Sequence, residues 1–164
     1  MIQSQFTYRK IDQKDRLWIE NFIKEHWGSD MIVVHNDSYF PSKLDGYIAS
    51  LEDKKIGLIT FLIKNLKCEI VSLNSVIENC GVGSNLMKLV EKEAKKKDCN
   101  EIWLVTTNNN LRAISFYQKI GYQLVAVFPN AVEQSRKIKP EIPLVAENKI
   151  PIRDELKFSL KIAS

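Results

Sequence analysis

The chain has 164 residues, of which 45% are hydrophobic and 27% charged, and it carries a formal net charge of +4. This composition is typical of a globular protein with a sizeable core, so we expect one domain over residues 1–164, and the mild charge without an aromatic-interleaved basic stripe argues against a nucleic-acid partner. The three cysteines form no C-x-x-C motif, and residues 1–5 do not resemble a signal peptide. The longest apolar run, residues 58–63, is too short to span a membrane. We therefore expect a reduced, cytoplasmic protein without a membrane partner.

The first part of the chain predicts a strand, a helix and an irregular segment. Residues 6–11 alternate apolar and polar side chains, as a half-buried strand does. Asp12 is suited to cap a helix that ends at residues 26–29. The apolar side of that helix carries Leu17, Trp18, Phe22 and Ile23. Residues 31–34 resemble a strand, whereas residues 36–38 and 41–42 predict turns.

The middle of the chain predicts a hairpin and then a strand–helix–strand unit. Residues 47–51 and 55–63 flank a polar turn, and residues 67–77 should add a third antiparallel strand. A helix separates that strand from another predicted at residues 101–106. These two strands should therefore be parallel, because a crossover helix joins parallel neighbours.

A glycine-containing turn follows the strand at residues 68–77 and leads into a helix that we expect to begin at Ser84. Gly81 and Gly83 have no Cβ to hinder an approaching ligand, and a helix start directs unpaired N–H groups into the turn. The turn is therefore suited to a phosphate or diphosphate. It has neither the third glycine of a Rossmann motif nor the lysine of a P-loop, so on its own it is equally consistent with an ordinary turn. The predicted buried face of the helix carries Leu86, Met87, Val90 and Ala94.

The last part of the chain predicts two strands around a long connection. Residues 122–128 form a strand that Pro129 ends, and Asn130 is suited to cap a short helix over residues 131–137. Residues 139–153 contain prolines and should be irregular, whereas residues 155–162 alternate and should return beside the strand at 122–128. These elements predict an α/β (α+β) fold of three layers, a mixed, largely antiparallel sheet with helices on both faces.

A second motif lies downstream of the glycine turn. The residues that fit the pattern N-x-x-A-x-x-x-Y-x-x-x-G-[FY] are Asn110, Ala113, Tyr117, Gly121 and Tyr122. Together with Gly81 and Gly83 in the pattern [RQ]-x-x-G-x-[GA], this sequence resembles the GNAT superfamily of N-acyltransferases. One departure is Glu78, an acidic residue where that family carries Arg or Gln, which is unfavourable beside an anion unless its side chain points away.

The resemblance implies a GNAT-like sheet of six to seven strands and an acetyl-CoA-dependent N-acetyltransferase. Such an enzyme moves an acetyl group to a primary amine of a small molecule or peptide by direct attack in a ternary complex. The diphosphate of acetyl-CoA would lie on the N–H groups of residues 81–86, and its pantetheine arm would pair with the end of the fourth strand of the sheet, which must splay from the fifth. The implied cofactor-binding residues are Leu73, Asn74, Ser75, Val76, Gly81, Val82, Gly83, Ser84, Asn85, Leu86 and Asn110. Asn110 is equally suited to cap its helix.

By the same resemblance, Tyr117 is the candidate general acid and Glu69 the candidate general base. The phenol of Tyr117, with an ordinary pKa near 10, can protonate a departing thiolate whose pKa is roughly 8 to 9. The alternative is a core tyrosine, and the alternative for Glu69 is an exposed carboxylate at a strand end. His26 and His35 are further candidates for the base, and Cys80 lies near a helix start where an acyl-cysteine route is conceivable.

The sequence does not indicate which amine is the acceptor. Residues that could receive a cation are Trp18, Trp27, Tyr39, Phe40, Asp30, Asp37 and Asp45, and residues that could receive an anion are Arg136 and Arg153. Two other interpretations remain: a non-catalytic GNAT-fold module that binds or senses CoA, and a nucleotide-binding protein that uses the glycine turn. We expect no metal site, and a homodimer through the final strands or the long connection is compatible with the sequence.

Overall fold

The computed structural model describes residues 5–163, and the expectation for residues 1–4 lies outside that range. The strands within it are β1 (Phe6–Lys10), β2 (Ile32–Val34), β3 (Asp37–Tyr39), β4 (Asp45–Leu51), β5 (Lys54–Lys64), β6 (Lys67–Ser75), β7 (Glu101–Thr107), β8 (Gln123–Phe128) and β9 (Glu155–Lys161). The helices are α1 (Arg16–Trp27), α2 (Val82–Lys96), α3 (Leu111–Lys119) and α4 (Ala131–Ile138). Each predicted strand and helix is present, and β3 is an addition.

Seven of these strands form one sheet in the order β1-β4-β5-β6-β7-β9-β8. Only the pair β6–β7 is parallel among the described strands, because α2 carries the chain from the end of one to the start of the other. The remaining neighbours in the sheet are antiparallel. The predicted mixed, largely antiparallel sheet is confirmed.

Helices cover both faces of this sheet, as predicted. On one face, α2 buries its apolar side against the sheet together with Tyr117 of α3. On the other face, α1 buries Ile19, Phe22 and Ile23 beside Ile32 of β2. Leu17 was predicted on the buried side of α1, but 68% of its side chain is exposed, because the buried stripe of this helix runs through positions 19, 22 and 23 instead.

The segment between α1 and β4 differs from the sequence prediction. Residues 36–38 were expected to form a turn, but the turn is made by His35 and Asn36, which both have positive φ values of 53° and 69°. Two such residues are typical of the tight turn that matches the twist of a hairpin. Asp37–Tyr39 therefore pairs back on Ile32–Val34 as β3, forming a small sheet of its own.

Smaller differences occur at the ends of elements. Asp12 caps a single 3-10 turn, Gln13–Asp15, that precedes α1. The strand expected at residues 67–77 ends at Ser75, and α2 begins at Val82, earlier than the expected Ser84. Within residues 5–163, no helix combines the length and the hydropathy that crossing a membrane requires.

Candidate active site

The two central strands β6 and β7 separate soon after they begin. They pair from Lys67 opposite Glu101 to Glu69 opposite Trp103. Beyond that point β6 continues beside β5, and β7 continues beside β9. The predicted splay between the fourth and fifth strands of the sheet is confirmed, and it leaves a gap that widens from Glu69 toward the end of β6.

One edge of that gap carries unpaired main-chain groups. The N–H of Val76 donates to the carbonyl oxygen of Ile56 at 2.8 Å, so residue 76 faces β5. In an antiparallel ladder, alternate residues of a strand direct their N–H and C=O groups toward the partner strand and away from it. Leu73 and Ser75 alternate with Val76 along the chain. Leu73 and Ser75 therefore direct their N–H and C=O groups away from β5 and into the gap.

A cavity of about 660 Å³ lies where the gap meets the glycine turn and α3. The predicted cofactor residues that line it are Leu73, Asn74, Ser75, Gly81, Val82, Gly83, Ser84 and Asn110. Val76, Asn85 and Leu86 do not line it. Val76 is exposed, Leu86 is fully buried in the core, and the side-chain amide of Asn85 donates to the hydroxyl of Tyr8 at 3.0 Å.

The glycine turn presents free N–H groups to this cavity. Gly81 has a φ of +84°, a left-handed conformation that glycine adopts without strain, and α2 begins at the next residue, Val82. The first helical hydrogen bond runs from the N–H of Asn85 to the carbonyl oxygen of Gly81, at 3.0 Å. The N–H groups of Val82, Gly83 and Ser84 therefore have no partner within the helix. Of the anion-binding stretch expected at residues 81–86, the helix thus leaves the N–H groups of residues 82–84 free for an anion.

The first turn of α3 supplies two polar residues to the same cavity. The side-chain oxygen of Asn110 accepts a hydrogen bond from the N–H of Ala113 at 3.2 Å, which confirms its role as a helix cap. Arg112 forms an ion pair with Glu78, and both side chains line the cavity. The acidic residue at position 78 is thus neutralised. Sequence reasoning missed Arg112, although its spacing of four residues from Phe116 places both on one helical face.

Tyr117 lines the cavity from α3, and only 7% of its surface is exposed. Its ring packs against Phe116, Tyr122 and Phe158, at centroid distances of 5.1, 6.1 and 6.2 Å. Burial raises the pKa of Tyr117, and no hydrogen bond to another described residue contributes to that shift. Tyr117 is therefore a core residue whose phenol borders the cavity, so the two alternatives drawn from the sequence are compatible.

Glu69 lies elsewhere, in a second cavity of about 560 Å³ at the narrow end of the gap. The expectation of an exposed carboxylate at a strand end is wrong, since Glu69 is 8% exposed. The hydroxyl of Tyr39 donates to its two oxygens at 2.8 and 3.1 Å. Burial raises the pKa of Glu69, and the hydrogen bond from Tyr39 opposes that shift. The structure thus places the two candidate catalytic residues in different cavities.

The other candidate residues make local contacts. Nδ1 of His26 lies 2.9 Å from the carbonyl oxygen of Phe22, and His26 borders the first cavity. The thiol of Cys80 donates to the carbonyl oxygen of Ile77 at 3.3 Å. The guanidinium of Arg136 donates to carbonyl oxygens within the connection after α4, and Arg153 pairs with Asp154. Arg136 thus holds distant parts of the long connection together, whereas the Arg153 side chain pairs with its sequence neighbour.

Comparisons with known proteins agree with the fold and the motifs. A model of the Acetyltransferase (GNAT) family matches residues 7–122. The uncharacterized protein YdhI of Bacillus subtilis is 50% identical over 142 residues, which cover 86% of this chain and 89% of that protein. The IAA acetyltransferase of Bacillus cereus has a similar structure, with a TM-score of 0.71, 16% identity, and coverage of 96% of this chain and 100% of that one. A GNAT family acetyltransferase of Elizabethkingia anophelis with acetyl-CoA bound gives a TM-score of 0.67 at 18% identity, covering 98% and 100% of the two chains.

Proposed function

The chain belongs to the acetyltransferase (GNAT) family, and we propose that it moves an acetyl group from acetyl-CoA to a primary amine by direct attack in a ternary complex. One arrangement carries the proposal. The free main-chain edge at Leu73 and Ser75 runs from the unpaired N–H groups at the start of α2 into the gap between β6 and β7, and Tyr117 lines the same cavity. That shape suits a long, extended thioester with a charged head.

The donor would bind with its diphosphate at the start of α2. The N–H groups of Val82, Gly83 and Ser84 can donate to phosphate oxygens, and the positive end of a helix of 15 residues favours the anion. Arg112 can turn from Glu78 to a phosphate at little cost, because their side chains are 57% and 62% exposed and the ion pair is correspondingly weak.

The pantetheine arm would lie along β6 as an additional strand. Its amide groups can pair with the N–H and C=O groups of Leu73 and Ser75, which have no strand partner on that side. This pairing would direct the thioester into the gap, toward Glu69 and the point where β6 and β7 meet. Holding the thioester and the amine together in this way supplies much of the rate enhancement.

The chemistry needs one base and one acid. Glu69, directly or through one water molecule, takes a proton from the acceptor ammonium, and the neutral amine then attacks the thioester carbonyl carbon. A C–N bond forms, the attacking nitrogen releases its second proton to water, the C–S bond breaks, and the electron pair leaves on sulfur. Tyr117 donates a proton to that thiolate and recovers one from solvent. The products are the N-acetylated amine and CoA.

A free-thiol assay with acetyl-CoA and a panel of primary amines and peptides tests this proposal. We expect thiol release that depends on the amine, and a rise in melting temperature with acetyl-CoA alone. Binding of acetyl-CoA without thiol release across the panel would instead support a non-catalytic CoA-binding module. Stabilisation by ATP or NAD but not by acetyl-CoA would support a nucleotide-binding protein.

A further inference from the structure

The second cavity has a charge pattern that the strand registers impose. Leu62, Glu69 and Trp103 lie opposite one another on β5, β6 and β7 and form one row across the sheet. Lys64 and Lys67 are also opposite each other, two residues away along their strands. Side chains two residues apart point to the same face, about 6.6 Å from one another. A row of lysines therefore lies beside a row centred on a carboxylate, and all five residues line the cavity.

The negative end of the cavity is built to hold a charged group. Glu69 is buried and fixed by the hydroxyl of Tyr39, and Asp37 lines the cavity from β3. Burial raises the pKa of Glu69, and the nearby Asp37 carboxylate acts in the same direction, whereas the hydrogen bond from Tyr39 and the charges of His35 and Lys157 oppose the shift. An ammonium group placed between these carboxylates would relieve the unfavourable burial of negative charge.

The positive end is more open. Lys67 pairs with Glu101 at 3.1 Å. No carboxylate of the described part of the chain lies within 4 Å of the Lys64 ammonium, and Lys64 is exposed. The adjacent turn residues Asn65 and Leu66 have positive φ values of 53° and 59°, typical of a tight two-residue hairpin turn. This turn keeps Lys64 beside Lys67 at the cavity rim.

We infer that the second cavity binds an acceptor of the amino-acid class, with its ammonium at Glu69 and its carboxylate at Lys64; this rests on the proposed function. An α-amino acid separates its two charged groups by about 3 Å, and a charge-assisted hydrogen bond of about 2.8 Å at each end gives a span of roughly 8 to 9 Å. A flexible lysine one row from Glu69 can meet that span. Leu62, Tyr39 and Trp103 provide apolar walls for the acceptor side chain. A polyamine is disfavoured, because its second cation would approach the lysine row.

The test compares each amino acid of a panel with its carboxamide, which keeps the amine and removes the anion. The amine of a carboxamide is less basic, so a preference for the free acid cannot come from easier deprotonation. We expect a kcat/KM for at least one amino acid that is about fivefold or more above that of its amide, the size of one partly exposed ion pair. Lys64→Met should bring this ratio close to one, and Lys64→Glu should invert it.

Lys92→Met provides the matched control, because Lys92 is an exposed lysine on α2 and lies outside both cavities. Its acid-to-amide ratio should equal that of the wild type. Equal rates with acids and amides in the wild type, or acetylation of other amines but of no amino acid, would contradict the inference and leave the acetyltransferase function standing. Absence of thiol release with every amine would contradict the proposed function itself.

Discussion

Replacing Tyr117 by Phe removes one oxygen atom at the cavity and leaves the packing of its ring against Phe116 and Phe158 in place. Burial alone raises the pKa of Tyr117, without a hydrogen bond to a described partner. Because the hydroxyl of Tyr117 borders the cavity, water can hydrogen-bond to it, so the free energy of unfolding should change by less than about 1 kcal/mol in Tyr117→Phe. The raised pKa also keeps the phenol of the wild type protonated throughout the assay range.

The effect on turnover should be much larger. General acid catalysis contributes about 10²- to 10⁴-fold, and a thiolate with a pKa of roughly 8 to 9 is already a fair leaving group. We therefore expect kcat to fall by about 10²-fold, or about 2.7 kcal/mol in activation free energy. Affinity for acetyl-CoA should change little, because the diphosphate and the pantetheine arm would bind through main-chain groups of α2 and β6.

The matched control is Tyr122→Phe. Tyr122 is equally buried, but its hydroxyl donates to Glu91 at 3.2 Å and it does not line the cavity. This variant should lose about 1 kcal/mol of stability and keep its kcat. Thiol release under saturating acetyl-CoA and urea unfolding measure the two quantities. Unchanged kcat in Tyr117→Phe, or an equal loss of kcat in both variants, would refute the reasoning.

Three further predictions concern charged groups. Glu69→Gln should lower kcat by about 10²-fold or more. Because the folded-state pKa of Glu69 is raised, the wild type loses stability as pH rises through that pKa, so the variant should be the more stable protein at pH 8. A variant that is less stable than the wild type at pH 8 would contradict this prediction. Calorimetry should show that Arg112→Gln weakens CoA binding severalfold, whereas Glu78→Gln strengthens it. Stronger binding in Arg112→Gln together with weaker binding in Glu78→Gln would exclude Arg112 as a phosphate ligand. Asp15→Asn should cost about 3 kcal/mol at pH 7 in urea unfolding, since Asp15 is buried and accepts from both terminal nitrogens of Arg9 at 2.7 Å. Arg9 holds the pKa of Asp15 well below its usual range, so this difference should begin to shrink as pH falls below about 4 and be lost only as pH falls through the lowered pKa. A difference that does not decrease in acid would contradict the assignment.

The sequence predicted the parts of the site that depend on neighbouring residues. The glycine turn and the Asn110 cap were visible because their hydrogen bonds join residues a few positions apart. The gap between β6 and β7 followed from the family resemblance carried by the two motifs. The sheet was predictable because alternating apolar residues and a crossover helix restrict how the strands can pair.

The parts that the sequence did not predict depend on contacts between distant segments. Tyr39 and Glu69 are 30 residues apart, and only the unexpected β2–β3 hairpin brings the phenol onto the carboxylate. The burial of Glu69 follows from that contact, so its position on a strand did not reveal it. Arg112 and Glu78 likewise meet only because α3 packs beside the glycine turn. Charge alone did not indicate which cation would neutralise position 78.

Amide hydrogen exchange with and without acetyl-CoA tests most directly the claim that the donor binds along β6 and at the start of α2. Slower exchange is predicted at Leu73 and Ser75, whose N–H groups face the gap, and at residues 82–84, with exchange in β1 unchanged. Unchanged exchange at all five of these amides while acetyl-CoA is bound would contradict this claim.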